Sequence, residues 1–519
     1  MSSNSDVIVQ EIRQEFESML HYVRHSENET AYEAERNIFK RLLKMGYELM
    51  LLFFSLQAER YPRIALENEK GEALPYHSEK KRDYYSIFGK LPFLRPYFYK
   101  KGAGGESPLD EALSLGKDCY SDVVRELAEY LGAAMSYEKV NGLFRYLLGQ
   151  SLGKNTVQLM VAEDGEDVEA YYEQKAAPEV QEEETIMVVQ ADGKGVPLVK
   201  GTEASNKVRL GKGEKRSKKK EAVVTSVYTI GPNKRSPEEV VASLFRKEKP
   251  ETSTDKPSEW EKPQNKEVWA TLDGKDAALE RLASRVGKRQ GEHITDRVAL
   301  TDGAEALQNR VLLHLPGFTL ILDFIHANEY LWDTANRLFK EKDSKRDTWV
   351  ESRTLALLSG HTEQVVADLR GLAQAPRTTK VQQEELNKTA NYFERNLGYM
   401  HYDEYLTKGW PIASGVIEGA CRHLVKDRFE LTGMRWTQEG AESLLHLRSV
   451  AENDDWDDYH AFRREQRHLC LYALPHTPQE PLEHMALDST SQSSREFIFP
   501  QNAKRQHKQP SAGPERLAA

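Results

Sequence analysis

The order of strand-like and helix-like segments in the second half of the chain most constrains its fold. Three runs rich in β-branched residues come first, at 185–190, 196–200 and 222–230. Two further short runs, at 298–301 and 319–323, alternate with segments of helical periodicity. Short apolar runs bounded by turn residues predict strands, and strands that alternate with helices predict βαβ units. The sequence therefore predicts an α/β fold for this half.

The composition is that of a soluble chain with more than one folded unit. It has 519 residues, which at about 150 residues per domain suggests roughly three domains. The formal net charge of −10 excludes a protein that is basic over its whole surface. The charge is uneven, however, because residues 200–220 hold nine Lys or Arg against two Glu. We expect a basic loop there that can contact a polyanion.

The three cysteines, Cys119, Cys421 and Cys470, are far apart in the sequence. Without a Cys-x-x-Cys pair, neither a disulfide framework nor a cysteine-based zinc site is expected, which fits a reducing compartment. The first residues lack the basic-then-apolar order of a signal peptide. The most apolar stretch, 49–56, is too short to span a bilayer. We therefore expect a cytoplasmic protein that is not bound to a membrane.

Changes in pattern divide the chain into successive regions. A helical module that becomes irregular and rich in proline comes first, followed by a helix-turn-helix-like region, an acidic linker, the α/β domain and a polar tail predicted to be disordered. Inside the α/β domain we expect the basic loop and a helical insertion at about 340–405. The predicted boundaries of the five regions are 1–118, 119–165, 166–184, 185–460 and 472–519.

The helix-turn-helix-like region contains a helix that starts at Ser136 and ends at Gly149, followed by a short second helix. A glycine-bearing turn between two helices is typical of DNA-reading helix pairs, although a packed helical hairpin shares the pattern and is more common. If the pair reads DNA, the side chains on the reading face of the second helix are Lys154, Asn155, Thr156 and Gln158.

Two aspartates are predicted to lie at the ends of neighbouring strands. Three successive strands followed by strand–helix–strand–helix is the order expected of an RNase H-like fold, in which such acids meet at one sheet edge. Asp192 closes the first predicted strand and Asp302 the fourth, and each precedes a glycine that lets a phosphate approach the backbone. Because Mg²⁺ prefers several oxygen ligands, a third acid is expected from a later helix.

Glu418 is the candidate for that third acid. It follows a break at Ser414 and Gly415, and Arg422 and Lys426 come four and eight residues later. On an α-helix this spacing places an acid beside two bases on one face, which suits a metal site next to a DNA backbone. An ordinary solvated ion pair is the alternative for this glutamate taken alone.

Four segments resemble the signature blocks of DDE transposases of bacterial insertion sequences, and more distantly those of the Mutator-like group. The resemblance covers roughly residues 120–460. The four segments are LTDGA at 300–304, LDFIHA at 322–327, PIASGVIE at 411–418 and TGMRW at 432–436.

The resemblance implies an RNase H-like catalytic domain with Asp192, Asp302 and Glu418 as the catalytic triad. These acids would hold two Mg²⁺ ions about 4 Å apart, with Mn²⁺ as a substitute. Asp323 and His326 match a C/D-x-x-H block, and we assign them to orienting the site, although a histidine there is often a buried core group. Related transposases often carry upstream cysteine pairs that could bind zinc, and the corresponding stretch here has none.

Several further residues are expected to contact DNA. Arg435 suits a phosphate clamp and Trp436 a base-stacking ring. Burial of Trp436 in the core is an alternative at least as common for a tryptophan. The other expected contacts are Arg422, Lys426 and the lysines of the basic loop, among them Lys218, Lys219 and Lys220.

The expected function is metal-dependent cleavage of DNA at the ends of an insertion sequence, followed by strand transfer by a 3′-OH. The partners would be double-stranded DNA, both terminal inverted repeats and target, and further copies of the chain assembled on it. Two alternatives are an RNase H-like nuclease without strand transfer and a catalytically inactive DNA-binding protein derived from a transposase. The helix-turn-helix argues against the first and the intact triad against the second.

Overall fold

Two long helices pair at the N-terminal end of the chain, α1 (Asn4–His25) and α2 (Ala31–Arg60). Thr30 begins the second helix with a capping box, in which its side chain and that of Glu33 each accept a backbone N–H. The two helices predicted in this region are confirmed. The computed structural model describes residues 4–68, 71–199, 219–245, 262–431 and 433–472. Lys218, most of the basic loop and nearly all of the predicted tail lie outside these ranges.

Small antiparallel sheets follow, in a region where the sequence predicted irregular structure. Over most of its length β4 pairs with β3 alone, which allows Pro92 and Pro96 to stand in the strand, since proline is tolerated where one edge is open. A short helix, α3 (Leu109–Ala112), ends the module. The strands are β1 (Leu66–Glu67), β2 (Ala73–Leu74), β3 (Tyr76–Ser86), β4 (Gly89–Lys100) and β5 (Gly104–Glu106).

Four helices come next, and the first three lie in the region that the sequence predicted to be helix-turn-helix-like. Gly149 ends the second of them in the left-handed conformation, with φ of 67°, as the sequence predicted. The fourth helix lies where an acidic linker was predicted, and its Tyr171 and Tyr172 are buried against the large sheet. The four helices are α4 (Asp122–Ala134), α5 (Tyr137–Leu148), α6 (Lys154–Gly165) and α7 (Val168–Gln174).

The large sheet has five strands in the order β10-β9-β6-β7-β8. The first three strands along the chain pair antiparallel, whereas β9 is parallel to β6 and β10 is parallel to β9. The α/β fold predicted from the sequence is confirmed at this level. The strands are β6 (Ile186–Pro197), β7 (Lys219–Ile230), β8 (Gln264–Thr271), β9 (Asp296–Thr301) and β10 (Thr319–Leu322).

Two of the predicted strands need correction. The runs at 185–190 and 196–200 were predicted as separate strands, but β6 runs unbroken through Asp192 and pairs with β7 along its whole length. Asp192 therefore lies inside a strand and does not close one. The third strand is instead β8, in a stretch where the sequence predicted no strand.

Helices cover both faces of the sheet. Alternate residues of the strands point to opposite faces, so Val188 and Val298 pack against one set of helices while Val189 and Ala299 pack against another. The predicted helical insertion is confirmed as helical. No helix in the described ranges combines the length and apolar character needed to cross a membrane. The helices are α8 (Pro237–Leu244), α9 (Lys275–Arg289), α10 (Glu305–His314), α11 (Phe324–Leu338), α12 (Ser344–Leu358), α13 (Thr362–Gln374), α14 (Lys380–Asn396), α15 (Tyr402–Lys408), α16 (Gly415–Ala420), α17 (Asp427–Phe429), α18 (Gln438–Glu452) and α19 (Trp456–Tyr472).

Buried charges join the helix-turn-helix-like region to the rest of the fold. Arg125 of α4 donates from Nε to Asp164 of α6 at 3.0 Å, and Arg463 of α19 also pairs with Asp164. His460 of α19 is only 3% exposed, and its burial lowers its pKa to about 3. The Arg428 guanidinium donates to the carbonyl of Gly132 in α4 at 2.9 Å. The region from α4 to α6 is thus held against α17 and α19 by buried contacts.

Candidate active site

Three aspartates lie at the same level across three neighbouring strands. Parallel pairing matches Gln190 with Leu300 in β6 and β9, and Thr301 with Leu322 in β9 and β10. Continuing these registers by one or two residues places Asp192 beside Asp302, and Asp302 beside Asp323. Neighbouring strands lie about 4.8 Å apart, so the sheet brings the three acids into one row. This is the edge at which the sequence predicted Asp192 and Asp302 to meet.

Asp323 is fully buried and its carboxylate is held by three donors. Oδ1 accepts the backbone N–H of Ile325 at 2.8 Å, which caps the start of α11. Oδ2 lies 3.1 Å from Nδ1 of His326 and also accepts the hydroxyl of Ser414. Burial of a carboxylate costs free energy unless such partners replace water. The two residues that match the C/D-x-x-H block, Asp323 and His326, are thus in direct contact.

The surroundings of His326 favour the protonated form of its imidazole. Its hydrogen bond to Asp323 raises the pKa of the imidazole to about 9, against the opposing effect of partial burial. The charges of Glu329 and Asp302 act in the same direction. The hydrogen bond also holds the ring beside Asp323, which suits a residue that orients this carboxylate.

Glu418 comes from α16, which docks directly on the first strand of the sheet. The side chain of Gln190 in β6 accepts the backbone N–H of Ile417 at 2.8 Å, and it donates to the hydroxyl of Tyr228 in β7. Burial raises the pKa of Glu418, and the negative charges of Asp323 and Asp192 raise it further. The glutamate therefore lies close enough to both aspartates to be repelled by them.

The closest group of ligand atoms is not the predicted triad. Among the described residues, Asp323, His326 and Glu418 form a group whose potential ligand atoms all lie within 4.8 Å of one another. Asp192 and Asp302, which were predicted to hold metal with Glu418, are outside that group. Glu418 is common to both sets. The predicted triad shares one edge of the sheet, but the tightest cluster forms around Asp323.

Backbone and thiol groups orient the other two carboxylates. Oδ1 of Asp192 accepts the N–H of Gly193 at 2.6 Å, and Oδ2 accepts the thiol of Cys421 at 3.3 Å. Burial, followed by the negative charge of Asp192, raises the pKa of Cys421, so the thiol keeps its proton and acts as a donor. Oδ1 of Asp302 accepts the N–H of Ala304 at 3.0 Å.

The donor chemistry of this edge fits a hard divalent cation. The carboxylates of Asp192, Asp302 and Glu418 offer the oxygen ligands that Mg²⁺ and Mn²⁺ prefer. Burial is the largest cause of the raised pKa of Glu418, and nearby negative charge is the second, which a bound cation would offset.

Sequence reasoning did not single out four side chains that build the site. Ser414 and Cys421 donate to the aspartates, Gln190 docks α16, and Tyr392 donates its hydroxyl to the carbonyl of Asp302 at 2.8 Å. Ser414 and Cys421 flank Glu418 in the sequence, and that proximity was the available signal. Tyr392 comes from the helical insertion and offered no such signal.

The glycine after Asp302 has a reason other than an approaching phosphate. Gly303 has a φ of +85°, and a Cβ there would lie 2.7 Å from the hydroxyl oxygen of Tyr392. A Cβ on Gly193 would meet only the end of the flexible Glu221 side chain in the neighbouring strand, which could move away. Contacts within the fold therefore explain the glycine at 303 and do not explain the one at 193.

The side chains predicted to read DNA are on the surface of α6. Lys154, Asn155 and Gln158 are exposed, and Thr156 is partly so. Met160 faces the core between α4 and α5. The helix thus has a polar outer face where the sequence predicted one.

Two predictions about the segment after Glu418 need correction. Residues Cys421–Lys426 form a π-helical turn, whose i→i+5 hydrogen bonds change the spacing around the axis. Arg422 and Lys426 are both exposed, but their placement relative to Glu418 does not follow α-helical spacing. Trp436 is buried at 9% exposure against Phe429 and Tyr137, so its ring is not available to stack on a base.

The other residues predicted to contact DNA differ in their exposure and in their partners. Arg435 is exposed, beside the buried Trp436. Lys219 pairs with Glu430, and Lys220 is partly buried at the start of β7.

The chain matches no protein-family model and no curated protein with which it was compared.

Proposed function

We propose that this chain is a DDE transposase that cuts DNA at the ends of an insertion sequence and joins them to a target through a 3′-OH. One relationship carries the proposal: the parallel register of β6 and β9, continued by two residues, brings Asp192 beside Asp302, and a later helix supplies Glu418. The strand order supports it, since three antiparallel strands followed by two parallel ones beside the first is the RNase H-like arrangement.

In this proposal Asp192, Asp302 and Glu418 hold the divalent cations through carboxylate oxygens. Bound Mg²⁺ supplies activation of the attacking water or 3′-OH and stabilisation of the leaving oxygen. Cys421 and Gly193 fix the orientation of the Asp192 carboxylate through hydrogen bonds. Gln190 holds the start of α16, and thereby Glu418, against β6. These contacts prepare the carboxylates before DNA arrives.

Asp323 and His326 position this arrangement in the proposal. The carboxylate of Asp323 accepts the hydroxyl of Ser414, the residue just before α16. The same carboxylate contacts His326, and it caps the start of α11 through the N–H of Ile325. Together they connect the end of β10 to the helix that carries Glu418, so removing them would displace the glutamate.

The polar face of α6 is the proposed reader of the element ends, through Lys154, Asn155, Thr156 and Gln158. Helix-turn-helix proteins place such a face in the major groove. The lysines of the basic loop, with Arg422, Lys426 and Arg435, would add contacts to phosphates that do not depend on base sequence.

A donor plasmid that carries the gene with its natural flanking DNA tests the proposal. The purified protein and Mg²⁺ should release the element from this plasmid and insert it into a second plasmid, with a short target duplication. The Asp302→Asn variant serves as the inactive control. Cleavage without any joined product would favour an RNase H-like nuclease, and DNA binding without cleavage by the wild type would favour an inactive binding protein.

A further inference from the structure

A cleft of about 740 Å³ opens between α11 and α14 of the helical insertion. One face of α14 forms most of its lining, and the aromatic side is formed by Tyr330 and Tyr392. Polar residues of the lining include Lys380, Gln383, Glu384, Asn387, Lys388 and Arg395. The cleft therefore presents three cations against one carboxylate.

Two side chains that line the cleft are hydrogen-bonded to the candidate active site. The hydroxyl of Tyr392 donates to the carbonyl of Asp302 at 2.8 Å, and the guanidinium of Arg395 donates to the carbonyl of Gly303 at 2.9 Å. Both side chains also line the cleft. A ligand in the cleft would consequently lie beside the strand end that carries Asp302.

The charges in the cleft are spread along the helix. Lys380 and Arg395 are fifteen residues apart, which corresponds to roughly 22 Å along an α-helix. Lys388 lies between them and pairs with Glu385 at 2.8 Å, an exposed contact that contributes little free energy and can be exchanged for another anion. Such a row suits an extended polyanion better than a single compact phosphate.

The neutral groups of the cleft also favour an anionic ligand. The amide oxygen of Asn387 accepts the guanidinium of Arg370 at 2.9 Å, which directs the amide nitrogen of that side chain to act as a donor. The rings of Tyr330 and Tyr392 stack on each other, with centroids 3.9 Å apart and planes 9° from parallel. Since the two rings occupy each other's faces, recognition by base stacking is less favoured than contact with a phosphate backbone.

We propose that this cleft binds the sugar–phosphate backbone of a DNA strand leading to the reacting phosphate. Lys380 and Lys388 would contact phosphates, and the amide donors would contact phosphate or sugar oxygens. The DNA substrate rests on the proposed function, but the binding itself does not require cleavage.

Binding of a labelled oligothymidine of about ten nucleotides to the full chain, in EDTA and at several salt concentrations, tests this inference. The cleft variant is Lys380→Gln/Lys388→Gln. The matched control is Lys340→Gln/Lys342→Gln, which removes the same charge from exposed positions outside the cleft. The cleft variant should bind more weakly, and the slope of log affinity against log salt should fall by about 1.4, because each single-strand phosphate contact contributes about 0.7.

Other results would overturn the inference. Absence of oligothymidine binding by the wild type would do so, as would equal slopes for the cleft and control variants. Competition by thymidine monophosphate at the same phosphate concentration would indicate a mononucleotide pocket instead. The binding assay contains EDTA and no cleavage step. Loss of cleavage and loss of cleft binding are therefore separate outcomes, and the proposed function can fail while this inference holds.

Discussion

Asp323 and His326 lie one helical turn apart at the start of α11, with Nδ1 of the imidazole 3.1 Å from Oδ2 of the carboxylate. The same carboxylate accepts the N–H of Ile325 and the hydroxyl of Ser414, and it is fully buried. Because three donors already engage this carboxylate, we expect Asp323 to orient the site. Asp192, Asp302 and Glu418, which have fewer such contacts, are expected to hold the cations.

The triad variants Asp192→Asn, Asp302→Asn and Glu418→Gln should each abolish DNA cleavage and leave binding to the element ends nearly unchanged. Metal ligation needs the negative charge, whereas binding rests mainly on contacts to phosphates. Cleavage assays in Mg²⁺ and gel-shift assays in EDTA measure the two effects. The control is Glu363→Gln, which makes the same change from carboxylate to carboxamide at an exposed position of the helical insertion. Near-normal cleavage by any triad variant would remove that residue from the set.

Asp323→Asn and His326→Ala should behave differently from the triad. Loss of a residue that orients metal ligands typically lowers metal affinity or activity by roughly 10–100-fold, so activity should remain measurable and rise with added Mn²⁺ or Mg²⁺. Titration of cleavage against metal concentration gives the answer. Complete loss in a folded Asp323→Asn protein, not recovered at any metal concentration, would instead make Asp323 a direct ligand in the cluster with Glu418.

Replacement of side chains on α6 should change sequence preference, whereas replacement in the basic loop should not. Asn155→Ala and Gln158→Ala are expected to weaken binding to the element ends and leave binding to unrelated DNA unchanged. Neutralising Lys219 and Lys220 should reduce the salt dependence of binding, by about 0.9 in slope for each phosphate that the variant no longer neutralises. Binding to specific and unrelated duplexes across salt concentrations measures both. An altered preference in the loop variant with an unchanged slope would reverse the two roles.

Gly303→Ala should destabilise the protein and impair cleavage. The positive φ disfavours a side chain, and the added Cβ would press on the hydroxyl of Tyr392 beside Asp302. We expect a loss of about 1–3 kcal/mol in the free energy of unfolding. Urea denaturation measures this loss. Gly317→Ala is the control, since that glycine has open space around its Cβ position. Equal stability of the two variants would contradict the close contact.

His460 should make the protein sensitive to acid. Burial lowers its pKa to about 3 from an ordinary value of 6.5, so below pH 6.5 the unfolded chain takes up a proton that the folded chain excludes. Stability is therefore lost as the pH falls. Between about pH 6.5 and 4.5 the loss is about 2–3 kcal/mol, at about 1.4 kcal/mol for each pH unit.

Urea denaturation of the wild type, His460→Gln and the exposed control His401→Gln at both pH values isolates this contribution. His460→Gln should lose less stability on acidification than the wild type, and His401→Gln should follow the wild type. Parallel pH profiles for all three proteins would contradict the assignment of the buried neutral histidine.

The contacts that depend on short sequence spacing could be predicted, and those that depend on pairing or packing could not. The contact between Asp323 and His326 follows from three residues of helix. By contrast, the sequence predicted that Asp192 and Asp302 meet only through the strand order of an RNase H-like fold, and the alignment of both with Asp323 requires the register of three strands. The Asp-Gly at 192–193 has the composition of a turn, yet long pairing with β7 keeps it in a strand. Neither the alignment of the aspartates nor the pairing of this segment with β7 is encoded in a local sequence pattern.

Trp436 illustrates the same limit for aromatic residues. A tryptophan after an arginine is equally compatible with a base-stacking ring and with a core residue, because both use the same apolar surface. Only the neighbouring Phe429, Tyr137 and Arg428 decide that the ring is buried. The contribution of the helical insertion through Tyr392 was likewise beyond prediction, since ninety residues separate it from Asp302.

Under the proposed function, the contact between Arg428 and the carbonyl of Gly132 sets the distance between the DNA-reading helix and the active site. It joins the helical region that presents α6 to the segment that follows Glu418, and Arg463 and Arg125 brace the same region through Asp164. The separation between the recognised bases and the cut phosphodiester bond is then fixed by protein packing. Base pairs inserted between them in the DNA would move the cut relative to the element end and leave its distance from the recognised bases constant.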